Sequence, residues 1–92
     1  MTHPEPLFVR CRVAKGFFDT EFLVMVAGSS AYVSRWNVKL AADPINGEVE
    51  GLVSVYLIEK AADRVLVELP GEPVVGGIRT WVPHSALEAV PA

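Results

Sequence analysis

The sequence has few of the residues that build metal centres, disulfides and catalytic sites. Its 92 residues include one cysteine, Cys11, and two histidines, His3 and His84. These three residues do not have the spacing of a zinc site, and a lone cysteine cannot form an internal disulfide, which fits a reducing compartment. Cys11 alternates with Val9 and Val13, so we expect a buried, inert thiol. The sequence therefore predicts no metal, no cofactor and no catalytic residue.

Long apolar runs are also absent. The longest, FLVMVA at residues 22–27, has six residues, whereas a membrane-spanning helix needs about 18 or more. The first residues, MTHPEPLF, contain no basic region and no long apolar stretch, so we expect no secretory signal and a cytoplasmic location. We predict a disordered tail at residues 1–6 and one domain at residues 7–92.

Lysine and arginine are fewer than aspartate and glutamate over the whole chain, but not over its first half. The net charge is −3 and the isoelectric point is about 5.2, which makes nucleic acid an unfavourable partner. Residues 1–46 nevertheless carry five Lys/Arg against four acidic residues, whereas residues 47–92 carry three against seven. The cations of the first half and one tryptophan form a candidate basic patch for single-stranded nucleic acid, the alternative being an ordinary charged outer face. Its members are Arg10, Arg12, Lys15, Arg35, Lys39 and Trp36.

Alternation of apolar and polar residues is what the sequence has in abundance. Six segments show it: LFVRCRV (7–13), EFLVMVA (21–27), AYVS (31–34), GLVSVYLIE (51–59), RVLVEL (64–69) and GIRTWV (77–82). β-branched and aromatic residues fill these segments, and Gly, Pro, Asn and Asp separate them. The pattern predicts an all-β protein with six strands, with PGEP at residues 70–73 as an exposed loop.

The two halves of the chain repeat one pattern. Val9, Cys11 and Val13 align with Val53, Val55 and Leu57. FLVMVA at residues 22–27 aligns with VLVELP at residues 65–70, and YVSRWNV at 32–38 with WVPHSAL at 81–87. We therefore predict two pseudo-repeated, three-stranded halves, at about residues 7–46 and 47–92, each covering the apolar face of the other because three strands alone are barely stable. Coincidence is the alternative, since alternating strands resemble each other readily.

The segment WVPHSAL resembles the end of SH3-like small barrels, in which a strand enters one 3₁₀ turn and then a last short strand. The resemblance implies a small SH3-like barrel, in which Pro83 begins the turn and Leu87 returns to the core. In peptide-binding SH3 domains, a tandem tryptophan and a tyrosine after this turn belong to the ligand groove. Here Ala86 takes the place of the tyrosine and no tandem tryptophan is present. Binding of proline-rich peptides is therefore not implied.

The same region also resembles the type II plasmid-borne dihydrofolate reductases, which end a strand with a proline followed by Ala-Leu-Glu. That resemblance implies an oligomeric enzyme with a shared central pore, lined here by Thr80, Trp81 and Val82. These residues lack the Gln-Ile-Tyr chemistry of the family. The catalytic pore is accordingly the alternative reading.

Apolar residues on the second side of the strands are the main functional signal. They are Leu23, Met25, Leu52, Tyr56, Ile58, Leu66 and Trp81, all out of phase with the predicted core. If these residues are exposed together, about 700 Å² of apolar surface per subunit needs a cover. The sequence therefore predicts a non-catalytic interaction module that forms a homo-oligomer, with a dimer favoured, or that binds a protein or a small apolar ligand at this surface.

Overall fold

A computed structural model describes residues 7–89, which form nine antiparallel strands and two 3₁₀ turns. The strands are β1 (Leu7–Lys15), β2 (Glu21–Val26), β3 (Ser29–Ser34), β4 (Val38–Leu40), β5 (Val49–Lys60), β6 (Arg64–Glu68), β7 (Gly71–Val75), β8 (Arg79–Pro83) and β9 (Leu87–Ala89). The first 3₁₀ turn (Arg35–Asn37) joins β3 to β4, and the second (His84–Ala86) joins β8 to β9. One sheet in the order β7-β3-β2-β1-β5-β6-β8 curls into a half-barrel, which confirms the all-β class. The predicted tail at residues 1–6 lies outside the described residues.

The structure has nine strands where the sequence predicted six. The six predicted segments correspond to β1, β2, β3, β5, β6 and β8, and the three additional strands are short. β4 and β9 have three residues each, too few to show alternation. β7 includes part of the segment predicted as an exposed loop. Gly71 and Pro73 led to that prediction because both residues are common in loops, but β7 lies at the edge of the sheet, where proline is tolerated.

The core lies on the concave side of the curled sheet. Val53 and Val55 of β5 are buried as predicted, but Leu57, predicted on the same side, is 43% exposed beside a shift in the β5–β6 register. Val9, Cys11 and Val13 of β1 are buried, whereas Arg10 and Arg12 are exposed. The core also takes one face of β2, β3, β5, β6 and β8. Its largest fully buried members are Leu69, Val9, Val13, Val24, Val33, Val53, Val65 and Val67.

The short strands tie the two halves of the chain together. β1 and β5 form the central pair, with Val9 opposite Val53. β4, at the end of the first half, pairs with β5, so that Val38 lies opposite Val53. β9, at the end of the second half, pairs with β1, so that Leu87 lies opposite Val9. Each half therefore supplies a strand to the first strand of the other.

The hairpins of the two halves differ in their loops. β2 and β3 are joined by Ala27 and Gly28, both at positive φ (47° and 85°), as a tight two-residue hairpin turn requires. The β6–β8 hairpin instead carries a long loop, and β7 within that loop crosses to pair with β3. At Gly71 the backbone passes so close to Tyr32 that a Cβ atom would overlap the carbonyl group of Tyr32. β7 therefore covers the outer edge of β3.

Candidate functional site

The seven apolar residues predicted to form a surface lie in two groups. Leu23 and Met25 lie on β2 and are half-buried. Leu52, also half-buried, lies on β5 between Arg10 of β1 and Lys39 of β4. The remaining four lie together on β5, β6 and β8, and they are Tyr56, Ile58, Leu66 and Trp81.

The sheet register places charged residues between Leu23 and Met25 on β2 and the four residues of the second half. Met25 lies opposite Arg12, which in turn lies opposite Glu50 on β5. Tyr56 is six residues farther along β5 than Glu50, a distance of roughly 20 Å at the usual rise per residue. Arg12 and Glu50 therefore lie between Met25 and the second-half residues, whereas on the outward side of β5 Ser54 alone separates Leu52 from Tyr56.

The four apolar residues of the second half form what we call the second-half face (Tyr56, Ile58, Leu66 and Trp81). Leu66 lies directly opposite Trp81 in the β6–β8 pair. The β5–β6 register shifts between Leu57 and Glu59, which places Ile58 at an irregularity. Tyr56 is 61% exposed and Ile58 39% exposed, and Leu66 and Trp81 are half-buried. Four partly exposed apolar side chains thus lie on three adjacent strands, with Glu59 of β5 directly opposite Leu66 and Glu68 of β6 directly opposite Tyr56.

Charged residues border this face at both ends. The Arg64 guanidinium carbon lies 4.5 Å from the centre of the Trp81 ring, a cation–π contact. At the other end, Nε of Arg79 lies 3.0 Å from Oε1 of Glu68. The outward residues of β6 are consequently Arg64, Leu66 and Glu68, which places a cation, an apolar residue and an anion in one row.

Two members of the predicted basic patch are neutralised by acidic neighbours. Arg12 lies 3.4 Å from a carboxylate oxygen of Glu48 and 3.9 Å from one of Glu50. Arg10 lies 3.9 Å from a carboxylate oxygen of Glu88 and also donates a hydrogen bond to the carbonyl of Ser85. These ion pairs weaken the positive potential on which a nucleic-acid surface depends.

Of the other members, Lys39 lies on the same side of the sheet as Arg10, with Leu52 between them. The Lys39 ammonium lies 5.2 Å from the centre of the Phe8 ring, which explains why Phe8 is buried although it shares the outward side of β1 with Arg10. Trp36 is 83% exposed in the first 3₁₀ turn, with the Arg35 guanidinium 5.6 Å from its ring. The six residues therefore do not make one patch.

Lys15 and Arg35 belong to a cleft that the sequence did not indicate. It lies between the β1–β2 loop and the segment 41–47 that joins β4 to β5, and has a volume of about 340 Å³. Phe18 and Ile45 line this cleft and are 71% and 78% exposed. The sequence shows Phe18 and Ile45 as large apolar residues outside the predicted strands, but only the fold brings their two loops together.

Cys11 and two of the three positions that the reductase resemblance assigns to a pore are buried. Cys11 is buried as predicted, and that burial raises the pKa of its thiol to about 12. Of the positions that the reductase resemblance assigns to a pore, Thr80 and Val82 are buried on the core side, and Trp81 alone points outward. Within residues 7–89, no cluster of three or more His, Cys, Asp and Glu side chains could hold a metal ion. No helix in the same range is long and apolar enough to cross a membrane.

The segment that carried the SH3-like resemblance forms the end of β8, a 3₁₀ turn and β9. Pro83, with φ −67°, precedes the turn, and Leu87 follows it half-buried against the core. The curled sheet is consistent with a small barrel. Comparison of the chain with known protein families, with curated proteins and with solved structures finds no match.

Proposed function

We propose that this protein is a non-catalytic interaction module that forms a reversible homodimer through the second-half face. The exposure of Tyr56 and Ile58 on β5, next to the directly paired Leu66 and Trp81 on β6 and β8, carries the proposal. Tryptophan, tyrosine and arginine are the residue types that dominate binding energy at protein interfaces. All three occur here, with Arg64 stacked on Trp81.

The row of outward residues on β6 makes this face complementary to itself. A two-fold axis that runs across the strands at Leu66 reverses β6 in the second copy. Arg64 of each copy then meets Glu68 of the other, and the Leu66 and Trp81 side chains meet at the centre. Opposite charges at the rim fix the register of such a contact and speed its formation more than they add affinity.

The exposed area limits the strength of this dimer. An aromatic side chain offers about 150–250 Å², of which Tyr56 exposes 61%. With the partial exposure of the other three residues, the apolar area is roughly 300 Å² per subunit, well below the figure expected from the sequence. Burying it in both copies yields a gross gain of about 15 kcal/mol, which is close to the cost of association. A weak dimer follows, with a dissociation constant in the micromolar range or above.

Sedimentation equilibrium over a wide concentration range tests the proposal. Wild type is expected to show a reversible monomer–dimer equilibrium, and Ile58→Asp is expected to be monomeric because its carboxylate would be buried in the contact. Val75→Asp is the matched control, since Val75 is 59% exposed on β7 and lies outside the face. A wild type that stays monomeric up to about 1 mM overturns the proposal.

Charge reversal tests the arrangement of the two copies. Arg64→Glu and Glu68→Arg are each expected to weaken the dimer because they place like charges opposite each other. The double variant restores opposite charges and is expected to recover association. Failure of the double variant to recover, while each single variant still folds, contradicts the two-fold arrangement.

We also infer that the two halves are structural repeats. The residues that the sequence alignment makes equivalent also pair equivalently: Val38 lies opposite Val53, and Leu87 lies opposite Val9. The hairpins agree too, since Leu23 lies opposite Tyr32 and Leu66 opposite Trp81. Two such halves around the β1–β5 pair support a small SH3-like barrel as the finer description of the fold. The buried, unpaired Cys11 supports a cytoplasmic location.

A further inference from the structure

The cleft between the β1–β2 loop and the segment 41–47 lies beside the first 3₁₀ turn. In both halves the first residue of the 3₁₀ turn reaches back to the preceding hairpin loop. Arg35 donates to the carbonyl of Asp19 at 3.0 Å, and Nε2 of His84 lies 3.3 Å from the carbonyl of Ala61. After β4 the chain continues into the segment 41–47, whose Pro44 is buried beside the β1–β2 loop. The cleft is thus formed by one loop and one connecting segment of the first half.

Charged side chains of both signs surround this small space without pairing with each other. They are Lys15, Asp19, Glu21, Arg35 and Asp43. None of the five takes part in an ion pair within 4.0 Å in the described range, whereas Arg10, Arg12 and Arg79 all do. The hydrogen bond to Asp19 orients the Arg35 guanidinium and leaves other N–H groups available.

Apolar walls complete the cleft. Phe18 lies on one side, in the β1–β2 loop, and Ile45 lies on the other, in the segment 41–47. Both side chains are more than two thirds exposed, so an apolar group placed between them would gain from their burial. The matching loop of the second half has Ala61 and Ala62 in place of aromatic residues.

We propose that this cleft binds a small zwitterion with an apolar side chain, of the class of free aromatic or branched α-amino acids. The ligand carboxylate meets Arg35 and Lys15, the arginine offering paired N–H donors. The ligand ammonium meets the acidic side of the cleft, where Asp43 lies, and the side chain fits between Phe18 and Ile45. The volume of about 340 Å³ is at the small end of ligand sites and suits a molecule of this size.

Titration of the full chain with L-phenylalanine and L-leucine, followed by two-dimensional ¹H–¹⁵N NMR, tests this site. Saturable shifts are expected at the amides of Phe18, Arg35 and Ile45. N-acetyl-phenylalanine lacks the ammonium group and phenylalanine amide lacks the carboxylate, and each is expected to bind about tenfold more weakly, in line with the loss of one charged hydrogen bond. Equal binding of the amide and the amino acid overturns the zwitterion assignment, and no shift at about 10 mM ligand overturns the site.

Variants separate this site from the second-half face. Arg35→Gln and Asp43→Asn, both at exposed positions, are expected to weaken binding by about tenfold while the sheet stays intact. Arg79→Gln is the control, because it removes a cation that is paired with Glu68 outside the cleft. An equal loss in the Arg79 variant overturns the assignment. Dimerisation is read from sedimentation and amino-acid binding from the shifts, so either proposal can fail alone.

Discussion

Truncation of Val53 is the most direct test of how the two halves hold each other. Val53 is fully buried and lies opposite both Val9 on β1 and Val38 on β4. Val53→Ala removes two carbon atoms, a transfer loss of about 1.6 kcal/mol. The cavity left between fixed strands raises the expected loss in the free energy of unfolding to about 2–3 kcal/mol. The melting temperature should fall by roughly 8–24 °C for a chain of this size.

Val9→Ala is the matched variant, because Val9 is also fully buried and lies opposite both Val53 and Leu87. If the halves are repeats, Val9→Ala should lower the free energy of unfolding by the same amount as Val53→Ala, within about 0.5 kcal/mol. The losses should not add in the double variant, because the two side chains are neighbours. Urea unfolding followed by circular dichroism measures the free energy of unfolding of Val53→Ala, Val9→Ala and the double variant. Val74→Ala, at a half-exposed position, is the surface control. A loss below about 1 kcal/mol for Val53→Ala, or two separate transitions, refutes the reasoning.

Two further predictions concern single residues. Gly71→Ala is expected to lower the free energy of unfolding by about 1–3 kcal/mol, because the added Cβ would overlap the carbonyl of Tyr32, and an unchanged urea midpoint contradicts this. For Cys11, burial raises the pKa from 9.0 to about 12, so the unfolded chain releases its proton first. The Cys11 contribution to stability should therefore fall as pH rises above about 9, by up to about 1.4 kcal/mol per pH unit, relative to Cys11→Ala. A difference between wild type and Cys11→Ala that does not change over this range contradicts the burial of the thiol.

The long strands could be predicted because apolar and polar residues alternate along them in the sequence. Val9, Cys11 and Val13 fall on the core side for that reason, and so do Val53 and Val55. β7 could not be predicted in this way. Its partner, β3, is distant in the chain, and its glycine and proline are compatible with a loop until a neighbouring edge is present.

The second-half face could be predicted only in part, because the sequence indicates on which side of a strand a residue lies but not how neighbouring strands are aligned. Tyr56 and Trp81 lie on the predicted side, yet the β1–β5 register places Arg12 and Glu50 between them and Met25. The cleft depends on two loops that meet only in the folded chain. No periodicity links Phe18 to Ile45.

The pairing of β9 with β1 has a consequence for chain connectivity. Ala89 lies opposite Leu7, as Leu40 lies opposite Gly51. Both ends of the described chain thus meet at neighbouring positions, about 5 Å apart for paired strands. A variant that lacks residues 1–6 and 90–92 and joins Ala89 to Leu7 through a short peptide would be circular, and it could be reopened within residues 41–47 with every described strand pairing preserved. The same strand pairings could therefore form in a chain whose strands follow one another in a different order.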